Sequence, residues 1–582
     1  MRLAARMQKK QWHILPADSL SASFASELKV SPLMAQLLIN RGVKNCDEAK
    51  SFLYPKLNEL IEPELMPGII PAVDRVEKAV KNKEKITIYG DYDVDGITSV
   101  SILLGLFKLL DAEVDFYIPH RVDEGYGLNV DAVEQIVQAG AKLIITVDCG
   151  ITAFQSAQAV KDKGLDLIIT DHHRPSNDGR LPVAAAIVHP NLDEKYPAQS
   201  NAGATVAFKL AWAVVNRFKG TEATPQHLRQ FLINGTIFAA MGTIADVIEM
   251  KGENRIISSF GLRAFCDSDL PGTKALIDAA KLNAQTINSY HIGYCLAPML
   301  NAAGRMGHAR LAVELLTSDN SIRAIRIAEY LKQQNRDRQQ IEKKIFKQAG
   351  TMISSAGFDH PDRKTIVLSS KEWHTGVIGI VASRVVDKYY RPAILFNITN
   401  GKAQGSARSI EGFDILEAIT ACSSDLNSFG GHAMAAGLTI DVDKIELFAK
   451  RIEDYAANNW NDEAFVSRLE IDAVCQMKDF TVPFVKSLAM LGPFGRGNPS
   501  PVFVARGVRL VAAPKKVGVT GDHLQLTVCD STGSARCIGF NMAPLEKKLL
   551  ENEFFNIAFE AQVDDFYGGP SVQFVLADIQ FE

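Results

Sequence analysis

The stretch Lys85–Leu110, KITIYGDYDVDGITSVSILLGLFKLL, decides the fold. ITIY is an apolar run of strand length, SVSILLGLFKLL is long enough for a helix, and GDYDVDG between them punctuates a strand-to-helix turn. Further along, VDFYI, VDAVEQIVQAG, KLIITV, TAFQSAQAVKDKG and LDLIIT repeat the alternation, which argues for βαβ units and a parallel sheet. LIITV and LIIT show no polar alternation, as expected of strands covered on both faces.

Asp91, Asp93 and Asp95 stand at alternate positions, which share one face in an extended chain. Three adjacent carboxylates repel unless a cation neutralises them, so the run predicts a divalent metal. A calcium EF-hand loop also begins D-x-D-x-D-G, but it needs a glutamate at position 12 and flanking helices. Position 12 here is Ile102 and the preceding segment reads as a strand. A solvated acidic turn is the ordinary alternative.

Two later strands bear on the choice. LIITVDCG ends on Asp148, and LIITDHHRP on Asp171, His172 and His173. Successive strands of a parallel sheet deliver their C-terminal ends to one edge, where ligands of doubly wound folds collect. Asp246, in AAMGTIADVIEM, is a lone carboxylate in an apolar run and costly to bury without a partner; a helix cap or a surface position is its bland explanation. Carboxylates with one or two imidazoles favour Mn²⁺ or Mg²⁺ over a structural zinc. Two such ions about 3.5–4 Å apart suit hydrolysis at a phosphorus centre.

The 582 residues suffice for three or four domains at roughly 150 residues each. A composition of 47% hydrophobic and 22% charged residues excludes a disordered chain. The formal charge of -4 excludes a uniformly basic surface, so any polyanion must meet a local one. Cys46, Cys149, Cys266, Cys295, Cys422, Cys475, Cys529 and Cys537 form no C-x-x-C pair and read as reduced thiols. The opening MRLAARMQKKQWHILP lacks the apolar core of a secretory signal. Phe231–Met250, broken by Asn234, Gly235, Gly242 and Asp246, falls short of the ~20 clean residues of a membrane span. The expected location is the cytoplasm.

The expected organisation is a helical cap over 1–75, a first α/β lobe over 76–316, a connecting helix over 317–350, a second α/β lobe over 351–460 and a strand-rich region over 461–582. From Arg323 to Lys347 the connecting helix carries eight Lys/Arg against three Asp/Glu, either a solvated connector or a flank for a polyanion. The last region reads as a small OB-like barrel, a fold that commonly holds single-stranded nucleic acid, or as a small sandwich. Three glycine-containing segments look suited to anionic oxygen: PMLNAAGRMGHAR with Arg305, GKAQGSARSIEGFD with Ser406 and Arg408, and SFGGHAMAAGL with Gly430, Gly431 and His432. Arg384 is a weaker candidate, with a structural role as its ordinary reading.

Together Asp91-Tyr92-Asp93-Val94-Asp95-Gly96, Val147-Asp148-Cys149-Gly150, Asp171-His172-His173 and Asp246 resemble the motifs of the DHH phosphoesterase superfamily, and almost the whole chain is similar to its single-strand-specific exonucleases. The resemblance implies Asp91, Asp93, Asp95, Asp148, His172 and Asp246 as the metal set, with Asp91 direct or reached through water. It implies His173, beside Asp93 and Asp95, in catalysis and facing the scissile phosphate, with Asp171 orienting the histidines. Arg121 resembles a position near the 5′ end, and the Ser406-Ala407-Arg408 and Gly430-Gly431-His432 segments resemble the DHH-associated substrate lobe. The activity implied is 5′ to 3′ release of mononucleotides from single-stranded DNA during repair and recombination, by a protein expected to be monomeric. Single-strand-binding protein and a helicase are the implied partners. Two other readings stand beside it: a short-oligonucleotide or small-nucleotide phosphodiesterase of the same superfamily, and an inert replication or recombination scaffold that keeps the fold and has lost its metals.

Overall fold

A computed structural model describes residues 10–120, 124–305, 308–564 and 569–581. The chain forms two compact units, one of the described residues of Met1–Cys46, Asp337–Ala489 and Pro501–Glu582, the other of Asp47–Arg336 and Met490–Ser500.

The expected cap over 1–75 is not one body. Strand β1 (Gln11–Ile14) and the helices Ser21–Leu28 and Pro32–Asn40 lie in the first unit. The helix Ile69–Lys81 crosses the expected boundary and buries Ile69, Val73 and Val76 in the core of the second. A short amphipathic helix cannot bury its apolar face alone, and each of these borrows the nearest core.

The second unit is built on a five-stranded parallel sheet of β2 (Ile86–Gly90), β3 (Val114–Tyr117), β4 (Leu143–Val147), β5 (Asp166–Thr170) and β6 (Ala186–Val188), in the order β3-β2-β4-β5-β6. Alternate residues enter different cores: Ile86, Ile88, Leu143 and Ile145 in one, Tyr89, Ile144, Leu167 and Ile169 in the other. This is why LIITV and LIIT are apolar throughout. Because β2 is flanked by β3 and β4, strand order reverses at β2/β4, and the crevice beyond their carboxyl ends is the expected ligand position of such a sheet.

The connecting helix runs Ser321–Ala356, starting and ending later than expected. It continues through Gly350, where glycine costs a helix about 1 kcal/mol, because Ala349 and Ile353 on either side are fully buried. The first unit holds a mixed sheet of β7 (Ile366–Ser370), β8 (Ala393–Thr399), β9 (Lys402–Arg408), β10 (Leu426–His432) and β11 (Ala435–Asp441), ordered β10-β11-β9-β8-β7. Only β7 and β8 are parallel to each other.

Of the strands expected after 461, the first, β12 (Arg468–Ile471), pairs in parallel with β1. The barrel proper uses β13 (Ala473–Val474), β14 (Phe503–Leu510), β15 (Lys515–Val517), β16 (His523–Cys529), β17 (Ser534–Gly539), β18 (Phe555–Asp564) and β19 (Ser571–Phe581). Their order is β13-β14-β18-β19-β17-β16-β15, and Arg509 and Leu510 of β14 pair back onto β16. Five strands therefore close a ring, which makes this a barrel and not a sandwich. Phe480, Phe503, Phe559 and Phe574 fill it, with the last two rings stacked 3.8 Å apart.

Candidate active site

Strand β2 stops at Gly90, and the three aspartates of the motif do not lie on one extended face. Asp93 is the N-cap of the helix Val94–Leu109, accepting from the N–H groups of Asp95 (2.9 Å) and Gly96 (3.2 Å), and Asp95 lies in the first helical turn. An aspartate one residue before a helix offers its oxygen to the unpaired N–H groups there, and this capping overrides the strand alternation. A Cβ at position 96 would come 2.4 Å from the Asp91 carbonyl oxygen, so the glycine lets the turn fold back on itself.

Asp95 is then bound from outside its own helix. Its carboxylate accepts from Gly203 N–H (2.6 Å) and Ala204 N–H (2.8 Å), at the start of the helix Gly203–Lys219. Asp148 follows β4 in a left-handed conformation (φ 60°), which aspartate tolerates better than most residues. His172 Nε2 lies 3.0 Å from Asp148 Oδ1, 3.6 Å from Asp95 Oδ2 and 3.7 Å from Asp246 Oδ2. Asp246 caps the C-terminal end of the helix Gln226–Ala245, a structural role that also brings its carboxylate beside His172.

Three groups of donor atoms, each within 4.8 Å, overlap here: Asp91, Asp93 and Asp148; Asp95, His172 and Asp246; Asp148, His172 and His173. Burial raises Asp95 well above the ordinary carboxylate range, with the charges of Asp246 and Asp93 adding to it. Asp148 is raised by burial and then by Asp95, Asp93 and Asp91. Asp246 is pushed up to about 7, by burial and then by Asp93, against the opposing charges of His173 and Arg496. Carboxylates brought this close and this deep need positive charge among them. Carboxylate oxygens with imidazole nitrogen form a donor set suited to Mn²⁺ or Mg²⁺.

The two histidines differ in charge. Burial, and then the charge of His173, lowers His172 to about 3, leaving a neutral imidazole able to donate a lone pair to a metal. Burial would also lower His173, but its Nδ1 lies 2.8 Å from Asp171 Oδ1, and that hydrogen bond and charge raise it to about 9. Asp171, held below the ordinary range, also accepts from the N–H groups of Ile151, His172 and His173. It holds the His173 ring through Nδ1 and the backbone of both histidines through their N–H groups, while the His172 ring nitrogen lies against Asp148.

Sequence reasoning missed several contributors. Tyr126 donates to the Asp148 carbonyl (3.2 Å) and places its hydroxyl 3.1 Å from His173 Nδ1. Asn301 accepts from Val94 N–H (3.0 Å), and a Cβ at Gly304 would come 2.4 Å from the Tyr92 carbonyl oxygen, which sets Arg305 beside the motif. Arg496 arrives on the segment Met490–Ser500, which Arg255 anchors by donating to the Met490 and Leu491 carbonyls. No metal-ligand or phosphate-loop spacing marks that segment.

In the first unit, register gathers the remaining candidates. Across β9, β11 and β10, Ser406 aligns with Gly437 and Gly430, and Arg408 with Ala435 and His432. These rows share one face of the sheet, whereas Gly431 belongs to the other. Arg408 donates to Ser406 Oγ (3.1 Å), and Gly430 and His432 are exposed. Arg384 is taken up by Glu342 (2.8 Å) and by the Phe346 ring (4.3 Å), which is its structural role. Arg121 lies outside the described residues.

Three family models match stretches of the chain. The model of the DHH family, N-terminal domain, matches residues 85–236, that of the DHHA1 domain residues 362–458, and that of the RecJ OB domain residues 471–578. The chain is 38% identical over 574 residues to the single-stranded-DNA-specific exonuclease RecJ of Bacillus subtilis, covering 98% of this chain and 71% of that protein. It is 33% identical to the RecJ of Salmonella typhimurium, covering 98% and 99%. The crystal structure of RecJ in complex with Mn²⁺ from Thermus thermophilus superposes with a TM-score of 0.83 at 28% identity, covering 98% of this chain and 80% of that one. With the acidic edge of its parallel sheet, its DHHA1 sheet and its closed OB barrel each in the matching order, the chain belongs to the RecJ family of DHH proteins.

Proposed function

We propose that this chain is a metal-dependent exonuclease specific for single-stranded DNA, releasing mononucleotides from the 5′ end. The observation that carries it is the convergence of Asp91, Asp93, Asp95, Asp148, His172 and Asp246 at the switch point of the parallel sheet, in overlapping donor groups that share Asp148 and His172. Those six residues would hold two ions of the Mn²⁺ or Mg²⁺ class. Such ions supply a hydroxide-like nucleophile and stabilise charge on phosphate oxygens.

The chain's own groups do the rest. Asp95, fixed by two N–H donors of a helix N-terminus, keeps its oxygens in place. His173, charged through Asp171, presents a proton and a positive charge to the scissile phosphate. Arg305, Arg121 and the segments carrying Ser406, Arg408, Gly430, Gly431 and His432 are assigned to the terminal phosphate and nucleotide. The small residues at 430 and 437 let a sugar-phosphate backbone approach the sheet closely. The barrel holds the strand by backbone charge and base stacking, a requirement that a dinucleotide substrate would not impose.

The setting is repair and recombination in the cytoplasm, by a monomer, with single-strand-binding protein and a helicase as partners. Among the described residues no helix is long and apolar enough to cross a membrane. The test is topological: with Mn²⁺ the protein degrades a linear single strand and leaves a covalently closed single-stranded circle intact. Cutting of the circle would refute exonuclease action.

A further inference from the structure

Two large aromatic side chains stand in the open on a turn that packs against the helix Gln226–Ala245. Tyr290 is 62% exposed and Tyr294 is 74% exposed. Their rings stack on one another, centroids 5.0 Å apart at 26°. They sit at and within a widened π-helical turn, His291–Leu296, a distortion that recurs at functional sites.

This turn packs against the end of the helix that leads to Asp246 and continues into the helix that holds the first motif. A Cβ at Gly293 would come 3.8 Å from Ile244 Cγ2, two residues before Asp246. The turn runs directly into the helix Ala297–Arg305, whose Asn301 holds Val94 N–H. Tyr294 and Asn301 are seven residues apart, about 10 Å along a helix. Val247, directly after Asp246, adds an aliphatic side chain that is 59% exposed.

We infer that the Tyr290–Tyr294 stack is a platform for bases of the single strand whose phosphate lies at the acidic cluster. This rests on the nuclease reading above. The occupant is a nucleobase because the platform's turn packs on the helix that ends at Asp246 of the proposed phosphodiester site, and every base has a face that stacks on an aromatic ring whatever the sequence. The role is substrate positioning, and it leaves the metal ligands untouched.

The test compares the full-length protein with Tyr290→Ala/Tyr294→Ala and Tyr290→Phe/Tyr294→Phe, using oligothymidylate and Mn²⁺. Stacking at such platforms is worth about 1–3 kcal/mol per base, so KM of the alanine pair should rise about fivefold or more. Its kcat should stay within about twofold, and the phenylalanine pair should match wild type. Should the alanine pair fail to fold, Tyr294→Ala alone serves, with KM rising in the same direction. An alanine pair with wild-type KM, as a protein-docking patch would give, overturns the platform while leaving the nuclease reading intact, and so does a phenylalanine pair as impaired as the alanine pair. A wild-type protein that neither binds nor degrades the oligonucleotide overturns both.

Discussion

Asp95 accepts a 2.6 Å hydrogen bond from the backbone N–H of Gly203, a residue 108 positions further along the chain. The bond ties a carboxylate of the first motif to the N-terminus of a helix from another part of the unit, where partial positive charge favours an anion. The same glycine touches a second carboxylate: a Cβ at position 203 would come 2.7 Å from Asp148 Cβ.

Gly203→Ala should therefore displace two of the proposed ligands, Asp95 and Asp148, at once. Loss of such supporting contacts typically costs about 10- to 100-fold in metal affinity. Calorimetric titration of the metal-free protein with Mn²⁺ should show that loss. Gly242→Ala, whose Cβ would come 2.3 Å from Asp95 Oδ1, should show a similar one.

The raised Asp246 sets a pH dependence. Below about 7 it carries a proton in the metal-free protein, and a ligand must lose its proton to bind metal. Mn²⁺ affinity should fall as pH drops from 8 to 6. Titrations in buffers of different ionisation enthalpy should show proton release that grows as pH falls through 7.

Asp171→Asn removes the charge that keeps His173 protonated. The His173 pKa should fall from about 9 towards the ordinary ~6.5, followed by NMR of the imidazole. At pH 8 kcat should drop about 10- to 100-fold, the usual effect of losing such a partner, with KM changing far less.

Much of this site was legible in the sequence because its residues follow buried strands. LIITV and LIIT announce their covered faces, and Asp148, Asp171, His172 and His173 follow them directly. Asp246 was harder: a carboxylate that caps a helix looks the same in sequence whether or not it faces a metal. The alternation of Asp91, Asp93 and Asp95 suggested an extended face, whereas capping of the helix Val94–Leu109 gathers the carboxylates by another geometry. Tyr126, Asn301, Gly203 and Arg496 were not legible, because each is delivered by a tertiary contact. For the same reason the sequence did not show that β1 pairs with β12, over 450 residues away.

Away from the site, Lys209 and Glu253 form a fully buried ion pair in which Lys209 also donates to the Ile61 carbonyl. Removing one partner of a buried pair leaves an uncompensated charge and costs about 3–5 kcal/mol. Glu253→Ala should lower stability by that amount in urea unfolding, whereas Lys209→Met/Glu253→Met should recover much of it.

The most direct measurement is digestion of a single strand labelled at its 5′ or its 3′ end, beside the matching duplex, with Mn²⁺ or with chelator. The acidic cluster predicts Mn²⁺-dependent hydrolysis that Asp93→Ala abolishes, and the proposed function adds that the 5′ label of the single strand is released first as mononucleotide while the blunt duplex is spared. Digestion that persists in chelator or in Asp93→Ala, or an intact single strand with Mn²⁺ present, would contradict the account.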